Sequence, residues 1–192
     1  NSSWQWGLSQ LNNQRVSPLA EHEEAGHSHG HAHSHAARFT GQKMQVSDLV
    51  WKWAPQGNNR NQQVRVNWEY AQVSRINPLL DPSLKHTASS VGAVWRFHPA
   101  WEVGVRTDLA RVNQAEMHHD EDHGHDEVEV KQGRLKENAI MLAYKPSHKQ
   151  TLRLQLTQQN TRHGDAVFAN PAKRSIQLQY VVAFGAHGAH AY

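Results

Sequence analysis

The sequence predicts an all-β fold: an antiparallel up-and-down transmembrane β-barrel in which this chain supplies eight strands of a larger whole. Three observations predict it. Apolar and polar residues alternate with period two in eight separate segments, as in strands with one face in water and the other out of it. The connections between these segments alternate strictly between tight and long, an asymmetry of outer-membrane barrels. Apolar residues make up only 38% of the 192 residues, and the mean hydropathy is −0.79. That is thin material for a closed core, yet enough to coat alternate positions of strands that face lipid.

Taken in chain order, Trp4, Trp6 and Leu8 alternate with Gln5, Gly7 and Ser9, and Leu49, Trp51 and Trp53 with Asp48, Val50 and Lys52. Val64, Val66, Trp68 and Tyr70 oppose Arg65, Asn67 and Glu69. Val91, Ala93, Trp95 and Phe97 oppose Gly92, Val94 and Arg96. Trp101, Val103, Val105 and Leu109 oppose Glu102, Gly104, Arg106 and Asp108. Ile140, Leu142 and Tyr144 oppose Ala139, Met141 and Ala143, while Leu152, Leu154 and Leu156 oppose Thr151, Arg153 and Gln155. The last segment sets Ile176, Leu178, Tyr180, Val182 and Phe184 against Ser175, Gln177, Gln179, Val181 and Ala183. Beyond Phe184 the apolar positions fall to Ala186, Gly188 and His190, so the final strand is expected to end near Phe184, with His187 and His190 on a short tail.

Tight connections at 55–61, 98–100 and 145–149 carry the Pro, Gly, Asn and Ser that turns require. Long ones are expected at 13–43, 74–89, 113–133 and 161–173. In a barrel the long connections face outward, which places the C-terminus in the periplasm. Trp51, Trp53, Phe97, Trp101 and Tyr144 flank the tight turns and would form an interfacial girdle there. A soluble barrel is the rival. It would have to bury Arg65, Glu69, Arg96, Glu102, Arg106, Asp108, Glu137 and Arg153, whereas a wet lumen accepts them.

Composition excludes several classes. No run of about 18 apolar residues exists to make a membrane helix, and Asn1 opens without the charged-then-apolar pattern of a signal peptide. The net charge of +3 is small and its Lys and Arg are dispersed, which argues against a nucleic-acid partner. Cysteine is absent. No Gly-x-Ser-x-Gly elbow or acid–base pair stands out, so no enzyme is expected.

The chemistry lies in two long connections. His27, His29, His31, His33 and His35 alternate with Ser, Gly and Ala, with His22 just upstream beside Glu21, Glu23 and Glu24. His118, His119, His123 and His125 are interleaved with Asp120, Glu121, Asp122, Asp126 and Glu127. Neutral imidazole donates well to Zn²⁺, Ni²⁺ and Cu²⁺, small spacers let several rings converge, and Asp120 and Asp122 add charge and oxygen ligands. Without thiolates, the pattern suits capture and release better than a closed structural site.

The stretches Asp48-Leu49-Val50-Trp51-Lys52-Trp53-Ala54-Pro55, Trp95-Arg96-Phe97-His98-Pro99-Ala100-Trp101 and Gln177 to the terminal Tyr192 resemble zinc-regulated, TonB-dependent-type outer-membrane receptors of Gram-negative bacteria. The resemblance covers nearly the whole chain. It implies a C-terminal barrel portion in the outer membrane, histidine-rich loops outside, zinc as the metal, and lipid as the surrounding partner. It also implies a periplasmic energy-coupling protein, which would act through an N-terminal part not contained in this sequence. Lumen residues Asp48, Glu69, Glu102, Asp108 and Glu137 are candidates for guiding the ion or for pairing with Arg neighbours. A small eight-stranded surface barrel that binds or senses metal without transport, or a general porin, stands as the alternative.

Overall fold

The computed structural model describes residues 1–13, 41–76, 83–119, 126–162 and 173–184; for 114–119, 126–129 and 162 it describes the backbone path alone. The strands are β1 (Ser2–Asn12), β2 (Lys43–Trp53), β3 (Gln63–Ser74), β4 (Lys85–His98), β5 (Trp101–His119), β6 (Asp126–Ser147), β7 (Gln150–Arg162) and β8 (Arg174–Val182). A single 3-10 turn at Pro55–Gly57 is the only other regular element among the described residues. The fold is all-β, with eight antiparallel strands lying side by side in chain order in one sheet. β1 and β8 form its two edges and are not paired with each other, so the sheet is open.

The register explains why the period-two pattern is repeated from strand to strand. Partners across an antiparallel ladder point to the same face. One row of partners runs Trp4, Trp51, Val66, Ala93, Val105, Ile140, Leu156 and Ile176. Two residues away toward the tight turns, Trp53, Val64, Trp95, Val103, Leu142, Leu154 and Leu178 share the same face. By this register all seven tryptophans of the chain lie on that one face.

Among the described residues, no second layer covers it. The only buried apolar residues among those described are Ala54, Ile76 and Ala143, and no large side chain is fully buried. Trp6 is 77% exposed, Ile176 76% and Trp95 51%. The apolar band also drifts across the sheet. On β1 it runs from Trp4 toward the long-connection end through Trp6 and Leu8, whereas on β8 it runs from Ile176 toward the tight-turn end through Leu178, Tyr180 and Val182.

Aromatic rings gather at both margins of the band. Trp101 and Tyr144 meet at 4.7 Å between centroids and Trp95 and Phe97 at 5.6 Å, beside the tight turns. Trp68 and Tyr70 stack at 6.4 Å nearer the other end, a second group that the sequence reading did not single out.

Turns of two residues, Pro99-Ala100 and His148-Lys149, join β4 to β5 and β6 to β7. The β2–β3 turn needs left-handed backbone at Gln56 (φ 52) and at Gly57 (φ 76), where glycine meets no steric penalty.

Two expected long connections are shorter than expected. Segment 113–133 is mostly strand, because β5 continues to His119 and β6 starts at Asp126. Segment 74–89 loses its second part to β4, which begins at Lys85 and pairs with β3 as far as Ser74. In both, cross-strand backbone hydrogen bonds carry the ladder past the apolar band, and these bonds do not require apolar side chains. The final strand ends at Val182, two residues before Phe184.

Ala143 is wholly buried, with Glu102 and Arg153 as its cross-strand partners. Ala143→Leu is expected to overpack this spot and lower the unfolding free energy by about 1–3 kcal/mol, read from the urea midpoint of the refolded protein at unchanged slope.

Candidate functional site

The face opposite the tryptophans is polar, and the register sorts its charges into rows. Nearest the tight turns, Arg96 on β4 is the ladder partner of Glu102 on β5. Arg96 Nε and Nη2 both donate to Glu102 Oε1, at 2.8 and 2.6 Å. Lys145 Nζ reaches the same oxygen at 2.8 Å. Arg96 Nη1 also donates to the Asn59 carbonyl at 2.9 Å, which ties the β2–β3 turn to the cluster. Burial of a carboxylate demands such partners, and the Glu102 side chain is 10% exposed.

Further toward the long connections, carboxylates line up. Asp48 partners Glu69, Glu69 partners Ser90, Ser90 partners Asp108, and Asp108 partners Glu137, so four acidic residues share one row across β2 to β6. Gly7, next to Asp48 on β1, has no side chain to displace that carboxylate. Arg106 relieves half the row: its Nε donates to Asp108 Oδ2 at 2.7 Å and its Nη2 to Glu137 Oε1 at 2.8 Å. Gln159 Nε2 donates to the other Glu137 oxygen at 2.6 Å. A cavity of about 190 Å³ opens over this row, lined by Glu69, Asp108 and Glu137 together with Ala71, Ala88, Ala110 and Leu135.

Of the lumen candidates read from sequence, Glu102, Asp108 and Glu137 are therefore held in ion pairs, while Asp48 and Glu69 are ladder partners of each other at the opposite end of the row from Arg106. Lys145, placed in a turn by the sequence reading, is a member of the Glu102 cluster. Turn residues keep no periodic signal, so only the fold shows which face such a side chain reaches.

The candidate metal ligands divide by position. His22, His27, His29, His31, His33, His35, Asp120, Asp122, His123 and His125 lie outside the described residues. His118 and His119 end β5, where the backbone register sets them opposite Glu127 and Asp126 of β6. Among the described residues, no group of three or more His, Cys, Asp or Glu side chains is placed to hold a metal ion. No described helix is long and apolar enough to cross a membrane, which says nothing about crossing by strands.

No protein-family model, curated protein or solved structure matches this chain.

The Glu102 cluster makes a direct prediction. Glu102→Gln leaves two cations sharing a neutral acceptor and is expected to cost about 2 kcal/mol. Lys145→Gln leaves the Arg96 pair intact and should cost under about 1 kcal/mol. Urea unfolding of the two variants beside the parent checks the order.

Proposed function

We propose that this chain is part of the wall of an outer-membrane β-barrel that captures Zn²⁺ on histidine-rich segments outside the cell for passage across the membrane. One observation carries the membrane part of the reading: every tryptophan stands on a single exposed face of a sheet that no second layer covers among the described residues. Soluble monomers rarely expose apolar patches beyond a few hundred Å². Lipid is the medium in which such a face is stable, and aromatic rings at its two margins suit the two interfaces.

The drift of the apolar band supports the same reading. Its centre shifts by roughly five residues over the seven strand-to-strand steps. With a rise of about 3.4 Å per residue and about 4.8 Å between strands, that shift corresponds to a tilt of about 25–30° from the bilayer normal. Strands of membrane barrels tilt by about 35–45°. A sheet standing upright in the bilayer would show no drift. The unpaired edges of β1 and β8 fit a larger barrel whose other strands close the wall, since an open edge in hydrocarbon leaves backbone groups unsatisfied.

The metal part rests on chemistry and position. The β1–β2 and β5–β6 connections, which carry His22 to His35 and His118 to His125, emerge at the same end of the sheet. β5 and β6 climb together past Asn113, where β4 has ended, and carry His118 and His119 about 20 Å beyond the rest of the sheet. Imidazoles among carboxylates at that height meet a metal first. Zinc is chosen over Ni²⁺ and Cu²⁺ on the resemblance to zinc-regulated receptors, and a periplasmic energy-coupling protein is the partner that resemblance implies. The role is capture and transport, with no chemical step.

A smaller eight-stranded surface barrel is a second reading, favoured by the even strand count, which leaves β1 and β8 antiparallel and able to join.

Two measurements test the proposal. Ile140→Arg on the apolar face should cost about 2–4 kcal/mol in lipid, whereas Gln155→Arg on the polar face should cost under about 1 kcal/mol. Equal costs in vesicle-reconstituted protein would remove the lipid-facing assignment. For the metal, calorimetric titration with Zn²⁺ should give binding that weakens at least tenfold when His27, His29, His31, His33 and His35 are all replaced by Ser. Titration heats unchanged by the replacement would end the capture role for that segment.

A further inference from the structure

Between the acidic row and the Glu102 cluster, the polar face carries positive charge that the fold does not use. A cavity of about 360 Å³ there is lined by Arg65, Arg106 and Arg153, and no carboxylate lines it. Arg106 is already matched by Asp108 and Glu137. Arg65 has no hydrogen-bond or ion-pair partner among the described residues. Arg153 makes one long contact, Nη1 to Gln179 Oε1 at 3.4 Å, and its Nε is buried without any acceptor. Across the ladder from Arg65 stands Lys52, likewise without a partner among the described residues. Like charges placed opposite each other on neighbouring strands are destabilising, and an orphaned buried donor costs free energy comparable to a lost hydrogen bond.

Glycines beneath this cavity make room for the side chains of Asn67 and Met141, which line it. Gly92, Gly104 and Ala139 lie beneath it. A methyl group on Gly92 would come within 2.9 Å of Asn67 Oδ1, and one on Gly104 within 2.9 Å of Met141 Cε. Asn67 and Gln155 add neutral amides to the lining.

We propose that the basin between Arg65 and Arg153 is a binding site for a small multivalent oxyanion, a phosphate or a polycarboxylate. A planar guanidinium fork recognises such groups through paired N–H donors. Arg153 approaches from β7 and Arg65 from β3, so one oxyanion bridges strands that are otherwise separated by β4, β5 and β6. It takes donors from the two guanidinium groups and offsets the repulsion between Lys52 and Arg65. Solvated arginines on a wet face would need none of this. A concave lining that gathers three arginines and no carboxylate is what distinguishes a site from a surface. The proposal stands apart from metal capture and involves neither histidine segment.

The test is calorimetry on the full chain refolded in detergent, without metal, using inorganic phosphate and citrate as separate probes. At least one probe is expected to bind. Arg65→Gln and Arg153→Gln should each weaken that binding by tenfold or more, with Arg65→Lys in between because a lysine keeps the charge and loses the fork. Arg111→Gln, which removes the same charge elsewhere on the sheet, should change it less than twofold. The preferred probe tells phosphate from polycarboxylate. Absence of binding by both probes overturns the site. So does a loss with Arg111→Gln equal to that with Arg65→Gln, because the effect would then be one of overall charge. Circular dichroism confirms that each variant keeps its strand content, and Arg153→Gln provides a second, independent probe of the basin.

Discussion

Each inner strand satisfies its backbone sideways, against two neighbours in one sheet, and among the described residues nothing packs against the faces of that sheet. In a soluble fold the apolar face of a sheet is buried on a second layer. Among the described residues that layer is missing, and the side chains are instead sorted by face: all seven tryptophans on one, and the carboxylates of the acidic row with Arg65, Arg96, Arg106 and Arg153 on the other. The ladder register enforces this segregation. A slip of one residue would turn every Trp of a strand toward the polar face.

The polar face follows from the same constraint. Because the residues that alternate with the apolar ones cannot avoid sharing a face, their charges must be arranged along it. Glu102 is enclosed by Arg96 and Lys145, and Arg106 bridges Asp108 and Glu137. The first cluster ties β4, β5 and β6 together near the tight turns, and the second ties β5 to β6, and through Gln159 to β7, at a greater height. Arg65 and Arg153 line a cavity between them that no carboxylate lines, and this is why that basin is proposed as a place for an oxyanion.

Much of the sheet was legible in the sequence because strand side chains have period two and one face is apolar. Leu152, Leu154 and Leu156 on β7, or Val64, Val66 and Trp68 on β3, announce themselves in this way. The extension of β5 and β6 was not legible. Residues 113–119 and 126–133 are rich in His, Asp and Glu, which reads as connection, yet the two segments pair in one continuous register from Trp101 to His119. Backbone pairing is indifferent to that composition. The reach of Lys145 to Glu102 was hidden for another reason, since a turn residue has no periodicity to show its side. The ionic role of Glu137 and Asp108 could be anticipated only as one of two options, because sequence gives the row of a carboxylate but not the rotamer of its Arg neighbour. The candidate ligands His22 to His35 are as legible in composition as any feature of the chain, and their convergence depends on residues outside those described.

What joins sheet, aromatic margins and histidine-bearing connections into one molecule is the claim that the tryptophan face lies against lipid. Tryptophan fluorescence of the protein reconstituted in vesicles addresses it directly, because all seven indoles report from the same face. Lipids brominated along the acyl chain should quench most of the emission while aqueous iodide quenches little. Strong quenching by iodide with none from the brominated lipid would contradict the lipid-facing assignment.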